Sequence, residues 1–244
     1  MYAQEKIKPY EGNAHKREQV EQLFDNIAPT YDALNHTLSF GFDRAWRRKA
    51  IRSLATYNPA SVLDVATGTG DFALAIACEL KLRQVTAVDI SEGMMSVGRE
   101  KAAREGLHDV VCFQKEDCSH LSFADESFDA VSVTFGVRNF ENLDACLCEI
   151  HRVLNMGGHL VLLELSYPHN RLRRFLFNIY SKVVMPVVGR LISGDDSAYT
   201  YLPETMAAFP QGEVMREILL KNGFSQVSFR RLTMGICTLY IAEK

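Results

Sequence analysis

The chain has 244 residues, 47% of them hydrophobic and 23% charged, which fits one large soluble domain with enough apolar side chains for a substantial core. A formal net charge of −3 gives no general drive toward nucleic acid or an anionic membrane. Six cysteines lie scattered without a Cys-x-x-Cys pair and the seven histidines show no zinc spacing, so reduced thiols in a cytoplasm and chemistry without a metal are the expectation.

Residues 1–16 are polar and form a loose lead-in. Val20, Leu23, Phe24 and Ile27 then recur at helical spacing. Pro29 ends that helix, because the residue before a proline avoids the α region. Asp43 is expected to cap a further helix over 44–54, which carries the single tryptophan, Trp46. An all-helical preface before the first strand covers a sheet edge, a cofactor mouth, or both, with Tyr31 and Asp32 the side chains to follow.

Val62, Leu63, Val65 and Ala66 make an apolar run with the look of a buried strand. The chain turns at Gly68-Thr69-Gly70 and resumes with helical character at Phe72, Leu74, Ala75 and Ile76. Strand, glycine turn and helix present backbone N–H groups to an anion. Glycine is needed where a Cβ would block a positive φ and hold the ligand off. A second run over 85–88 ends in Asp89, where an acid grips ribose hydroxyls. The same glycines satisfy the loose dinucleotide fingerprint, and Asp64 separates the two readings. A carboxylate inside the strand suits the cationic amine of S-adenosyl-L-methionine, and NAD has no such amine. Asp64, Gly68, Gly70 and Asp89 are therefore cofactor-binding candidates.

Ser91 is expected to cap a helix that runs to about residue 105 and closes at Gly106. A third strand over 110–113 leads to Asp117, placed to accept from an adenine amino group at the ligand-binding end of the sheet. A fourth strand ends near Thr134, and Gly136, Arg138 and Asn139 follow it directly: poor core residues, good site residues. A helix carrying Leu143, Leu147, Ile150 and Leu154, a turn at Gly157-Gly158 and a fifth strand over 159–165 complete an alternation that implies parallel pairing with right-handed crossovers.

The alternation breaks over 168–210. Arg171, Arg173 and Arg174 open this insertion, and a nearly continuous apolar run follows, interrupted by Asn178, Lys182, Pro186 and Arg190 and too short to span a bilayer. It is expected to be a kinked apolar helix pair that lines a greasy pocket or touches a bilayer surface through 171–192, the alternatives being a homodimer interface or plain core. A last helix over 213–220 precedes two strands, 227–230 and 237–242, close enough in sequence to pair antiparallel. The expected fold is α/β, a Rossmann-like doubly wound and mostly parallel sheet with a C-terminal antiparallel hairpin. A single domain, 1–244, would comprise a helical cover (1–58), a cofactor-binding core (59–167), the apolar helical insertion (168–210) and the C-terminal helix and hairpin (211–244).

The stretch 62–71 together with Asp89 resembles motif I and its partner acid in class I S-adenosylmethionine-dependent methyltransferases. Three more stretches, Phe24-Asp25-Asn26-Ile27-Ala28-Pro29-Thr30-Tyr31-Asp32-Ala33-Leu34-Asn35, Trp46-Arg47 and Phe135-Gly136-Val137-Arg138-Asn139, resemble the ubiquinone/menaquinone biosynthesis C-methyltransferases. The similarity runs from about residue 19 to the C-terminus. It implies the class I methyltransferase fold, S-adenosyl-L-methionine as cofactor, and cofactor contacts at Thr69, Asp89, the pair Asp117-Cys118, and Thr134. Asp117-Cys118 departs from the Asn-Ala common in that family, and Thr134 replaces serine while keeping the hydroxyl. The implied substrate is a prenylated quinol, demethylmenaquinol in preference to the benzoquinol of ubiquinone biosynthesis, met in the cytoplasm or at the inner face of the membrane.

The implied reaction moves a methyl group to a ring carbon. Arg138 is the candidate for stabilising a ring oxygen or polarising a water, with Asn139, Tyr31 and Asp32 secondary. Two other classes compete: an NAD-dependent oxidoreductase using the same loop, and a non-catalytic scaffold of a quinone-synthesis assembly. RNA methylation finds no basic surface with interleaved aromatics outside 171–180.

Overall fold

A seven-stranded sheet in the order β3-β2-β1-β4-β5-β7-β6 carries the chain in a computed structural model that describes residues 1–168, 170–181 and 196–244. Strands β1 (Val62–Val65), β2 (Val85–Asp89), β3 (Val111–Lys115), β4 (Phe128–Thr134) and β5 (Leu154–Leu165) pair parallel. β7 (Cys237–Glu243) lies antiparallel between β5 and β6 (Ser225–Leu232). This is the doubly wound sheet with a terminal antiparallel hairpin that the alternation of elements required.

Alternate strand residues feed two apolar layers, as the period of a strand dictates. Val62, Val85, Val161 and Leu163 pack toward α3 (Phe42–Ala55) and α4 (Asp71–Leu80), meeting Trp46, Leu54, Phe72 and Ile76. Leu63, Val65, Val131 and Leu162 pack toward α6 (Leu143–Val153) and α9 (Glu213–Lys221), meeting Leu147, Ile150, Met215 and Leu219. Between β2 and β3 runs α5 (Glu92–Arg104), whose N-cap Ser91 accepts from the Met94 N–H at 3.1 Å. β5 begins earlier than expected, at Leu154, and absorbs the Gly157-Gly158 turn as a shift in its register with β4.

The cover consists of α1 (Lys16–Ile27), a 3₁₀ turn at Ala28–Thr30 that contains Pro29, α2 (Tyr31–Leu38) and α3. α3 starts at Phe42, not at Arg44, and its N-cap is Gly41 at φ 74°. Asp43 is accordingly not a cap. It sits in the first turn, 3% exposed, because the left-handed pair Phe40 and Gly41 folds α2 back onto α3 and lets the carboxylate reach Ser39 and His36.

From the insertion, α7 (Arg171–Ile179) and α8 (Asp196–Ala208) are described, and Tyr201 of α8 is buried against Val20, Leu23, Ile27 and Leu34 of the cover. The part of the expected apolar run over 182–192 lies outside the described residues.

Candidate active site

β1 is followed by β2 on one side of the sheet and flanked by β4 on the other, so a crevice opens beyond their C-terminal ends, where ligands of such sheets bind. Ala66, just past β1, takes φ 54°, and a Cβ on Gly136, just past β4, would lie 2.5 Å from the Ala66 methyl. Glycine at 136 is thus what lets the two strand ends approach. The crevice is a cleft of about 1080 Å³, counting the space open to solvent, roofed by Arg17, Val20 and Phe24 of α1.

Gly68, Thr69, Asp89, Asp117, Cys118, Thr134, Asn139 and Tyr31 come from several segments of the chain to line one cleft. Asp64 and Gly70 do not share it, which corrects two expectations. Asp64 is fully buried, its two carboxylate oxygens accepting from the hydroxyls of Thr67 and Ser132 at 2.6 Å each. Burial pushes its pKa up to about 6, against the pull of those two hydrogen bonds. It braces Thr67 from below and is enclosed away from the cleft. At Gly70 (φ 76°) a Cβ would meet the Phe113 ring at 2.7 Å, so core packing, not ligand approach, demands that glycine.

Three N–H groups at the turn are also engaged internally instead of aimed at an anion. Gly68 donates to Asp89 Oδ2 at 2.8 Å, Thr67 to the Val88 carbonyl and Gly70 to the Thr67 carbonyl. Asp89 Oδ1 accepts from the Ser91 N–H at 2.9 Å. Burial raises the Asp89 pKa against the backbone hydrogen bonds of Ser91, Gly68 and Ile90, and the carboxylate keeps acceptor capacity for a ligand hydroxyl. Asp117 accepts from Arg17 Nη1 at 2.8 Å on one oxygen and from the Ser119 N–H and hydroxyl on the other. Burial acts to raise its pKa, but these partners outweigh it and hold the carboxyl below its usual range. The Cys118 thiol is buried facing the Cys146 carbonyl at 3.8 Å. Asn139, 9% exposed on the cleft wall, has its Oδ1 buried with no protein partner. An orphaned acceptor there matches a ligand N–H.

A second cavity of about 630 Å³, again counting the space open to solvent, adjoins the first, walled by Leu38, Trp46, Leu165, Phe177, Tyr180 and Met206, and its lining is mostly apolar. Tyr31, Arg47 and Phe135 line both spaces and form the boundary between them. Arg138 stands on the second wall. It is 6% exposed, its Nη1 bonded to Glu164 Oε1 at 2.7 Å and to the Phe135 carbonyl, its Nε buried without a partner. Burial raises the pKa of Tyr31, opposed by the nearby charges of Arg138 and Arg47. Asp32 lines neither cavity. Its carboxylate accepts from the Thr69 hydroxyl at 2.6 Å and pairs with Lys101, so it serves the turn and not a substrate.

Arg47 is the charged residue at this boundary. Its guanidinium lies 5.5 Å over the Phe135 ring, its Nη1 binds Asp43 at 2.6 Å and reaches Asp71 at 3.4 Å, and its Nε is buried without a partner. Although Asp43 is buried, the Ser39 hydrogen bond and the charges of Arg47 and His36 hold its pKa low. Sequence reasoning gave Arg47 and Phe135 no role. The available signal was an Asp-x-x-x-Arg pair on the apolar face of α3, beside Trp46, Ala50 and Leu54, where only a paired and useful charge belongs. Lys101 had no such signal: its partners Asp71, Thr69 and Asp32 are all distant in sequence. Among the described residues, no group of three or more His, Cys, Asp or Glu side chains converges as a metal site.

Residues 13–244 match the ubiE/COQ5 methyltransferase family. A demethylmenaquinone methyltransferase of Bacteroides fragilis is 60% identical over 100% of this chain and 99% of its own length. One of Porphyromonas gingivalis is 47% identical over the full length of both. A ubiquinone/menaquinone biosynthesis C-methyltransferase of Geotalea daltonii is 40% identical over 94% of this chain and 97% of its own. Among solved structures, the [4+2]-cyclase SpnF superposes with a TM-score of 0.68 at 17% identity, covering 93% of this chain and 96% of that one. That likeness shows the fold alone.

Proposed function

The chain belongs to the ubiE/COQ5 methyltransferase family, and we propose that it methylates a ring carbon of a prenylated quinol, demethylmenaquinol, with S-adenosyl-L-methionine as donor. The observation that carries this reading is the meeting of a polar cleft with an apolar, aromatic cavity at Tyr31, Arg47 and Phe135. The donor is nucleoside-like and charged; the acceptor is a ring on a greasy tail. Two such reactants need two such spaces with one opening between them. The benzoquinol of ubiquinone biosynthesis is the alternative acceptor, favoured by relatives named for both quinones.

The cleft residues fit the donor. Asp89 offers lone pairs for ribose hydroxyls, Asn139 an orphaned acceptor for an N–H, and Thr69, Thr134, Asp117 and Cys118 complete the wall. When bound, S-adenosyl-L-methionine supplies an electrophilic methyl group on a sulfonium. Tyr31, Arg47 and Phe135 would align the acceptor ring against the cleft, an effect worth on the order of 7–11 kcal/mol for well-oriented pairs. Arg138, fixed by Glu164, presents its unpartnered Nε on the second wall as the donor to a ring oxygen that carries phenolate charge. The apolar lining keeps water from the ring and strengthens that hydrogen bond. The same proposal extends to bilayer contact through 171–192, with a homodimer through that stretch as its competitor.

Purified protein given labelled cofactor and reduced naphthoquinone or benzoquinone precursors is expected to label the naphthoquinol. Label in the benzoquinol alone would change the acceptor. Label in neither, or binding of NAD without S-adenosylhomocysteine, would overturn the reading.

A further inference from the structure

On the protein surface beside the second cavity, five large apolar side chains face solvent. Phe40 is 74% exposed, at the tip of the α2–α3 turn, and Phe42 follows it. On α7, Leu172 (67% exposed), Phe175 (61%) and Ile179 recur at i, i+3 and i+7, a helical stripe turned outward, while Phe177 points into the cavity. The two groups form one surface. Tyr180 donates its hydroxyl to the Leu38 carbonyl at 2.5 Å, and its ring packs 5.9 Å from Phe40. Leu38, Phe177 and Tyr180 line the second cavity, so the surface surrounds that cavity's side of the molecule.

Two features separate this patch from scattered surface hydrophobics. Phe40 has φ 51°, a left-handed conformation costly for a bulky residue, and it displays the ring to water. The exposed charge on α7 and α3 is of one sign. Arg171, Arg173 and Arg174 of α7 and Arg44 and Arg48 of α3 are exposed. α7 contains no acid, and the one acid of α3, Asp43, is buried. In a chain with a net charge of −3, the two helices that carry Phe42, Leu172, Phe175 and Ile179 thus expose only cations. Apolar side chains ringed by arginines match a bilayer interface with anionic headgroups, where rings enter the acyl boundary and guanidinium groups meet phosphate. None of the described helices is long and apolar enough to cross a membrane, so contact would be from one side.

We propose that Phe40, Phe42, Leu172, Phe175 and Ile179 dock on an anionic bilayer and hold the second cavity toward it, so that a lipid-tailed substrate reaches that cavity without crossing water. This rests on the quinol reading above. Its physical sense is that desolvating a long polyprenyl tail once, within a continuous apolar path, avoids exposing it between bilayer and cavity.

The test is sedimentation of the full chain with vesicles of phosphatidylcholine, with and without phosphatidylglycerol, compared with Phe40→Ser/Phe175→Ser and Arg171→Glu/Arg173→Glu variants. Wild type is expected to bind the anionic vesicles, and each double variant to lose about tenfold or more in partition, with binding of S-adenosylhomocysteine and methylation of a short-tailed, detergent-dispersed quinol unchanged. Equal binding by wild type and variants, or none by wild type, overturns the docking surface while the methyltransferase reading stands. A wild-type dimer in sedimentation velocity that both variants dissolve would assign the patch to a second copy and also overturns it. Vesicle binding without methylation of any quinol supports docking and removes the reading it rests on.

Discussion

The Thr69 hydroxyl donates to Asp32 at 2.6 Å, which ties the glycine turn after β1 to the first residues of α2. Lys101 completes the tie, reaching Thr69 at 3.0 Å and Asp71 at 2.6 Å and pairing with Asp32. The helical cover is thereby fastened to the loop proposed to face the cofactor. Asp32→Ala is expected to weaken S-adenosylhomocysteine binding by about tenfold, since charge-assisted hydrogen bonds hold that loop. Global stability should change by less than about 1 kcal/mol, because the pair is partly exposed. Calorimetric titration decides it, and unchanged affinity would refute the tie.

Asp64 predicts an unusual pH dependence. Its pKa rises from an ordinary 3.8 to about 6 on burial, so between those values the folded chain keeps a proton that the unfolded chain has released. Stability therefore falls as pH rises through that window, by about 3 kcal/mol in all. Asp64→Asn has no such proton to lose. The difference in urea-unfolding free energy between variant and wild type should shift in favour of the variant across the same window. A constant difference would show that Asp64 titrates as an ordinary carboxylate.

The buried pair Arg138–Glu164 makes stability and activity separable. Glu164 is fully buried, and Arg138→Ala would leave its charge unpaired, at a cost of about 3–5 kcal/mol. Adding Glu164→Gln should recover most of that stability. Methyl transfer should remain lost in the double variant if Arg138 acts on the ring oxygen, and return with the fold if the pair is only structural. Thermal melts and single-turnover assays distinguish these outcomes.

Gly136→Ala places a methyl group 2.5 Å from that of Ala66. The expected loss is about 1–3 kcal/mol, the usual range for overpacking. Removing the opposing methyl in Gly136→Ala/Ala66→Gly should restore much of the melting temperature, and failure to do so would place the strain elsewhere.

Arg47→Lys keeps the charge but not the planar stack over Phe135. Turnover is expected to fall by about ten- to a hundredfold, with cofactor affinity changed much less, because alignment at the boundary is what suffers. Steady-state kinetics with both substrates varied provides the check. A loss confined to the cofactor KM would move Arg47 from the boundary into the cofactor cleft.

Periodicity and turn chemistry were enough to order the elements, the parallel pairing and the terminal hairpin, because these depend on near neighbours. Apolar alternation sets which strand faces are buried, and proline or glycine sets where helices stop. The loops that meet at the cleft were legible for the same reason: each directly follows a strand end. What near neighbours could not determine is the direction and company of each side chain. Asp64 on β1 and Asp32 on α2 belonged to the right part of the chain, yet one is sealed beneath the turn and the other is held by Lys101, from α5. Arg138 met a buried glutamate on β5, and Asp43 turned from an expected cap into the anchor of Arg47. A buried carboxylate goes to whatever donors satisfy it, and those donors are assembled only when distant segments pack. The local pattern placed the candidate site at the ends of β1, β2, β3 and β4; tertiary packing decided which of its residues face the cleft.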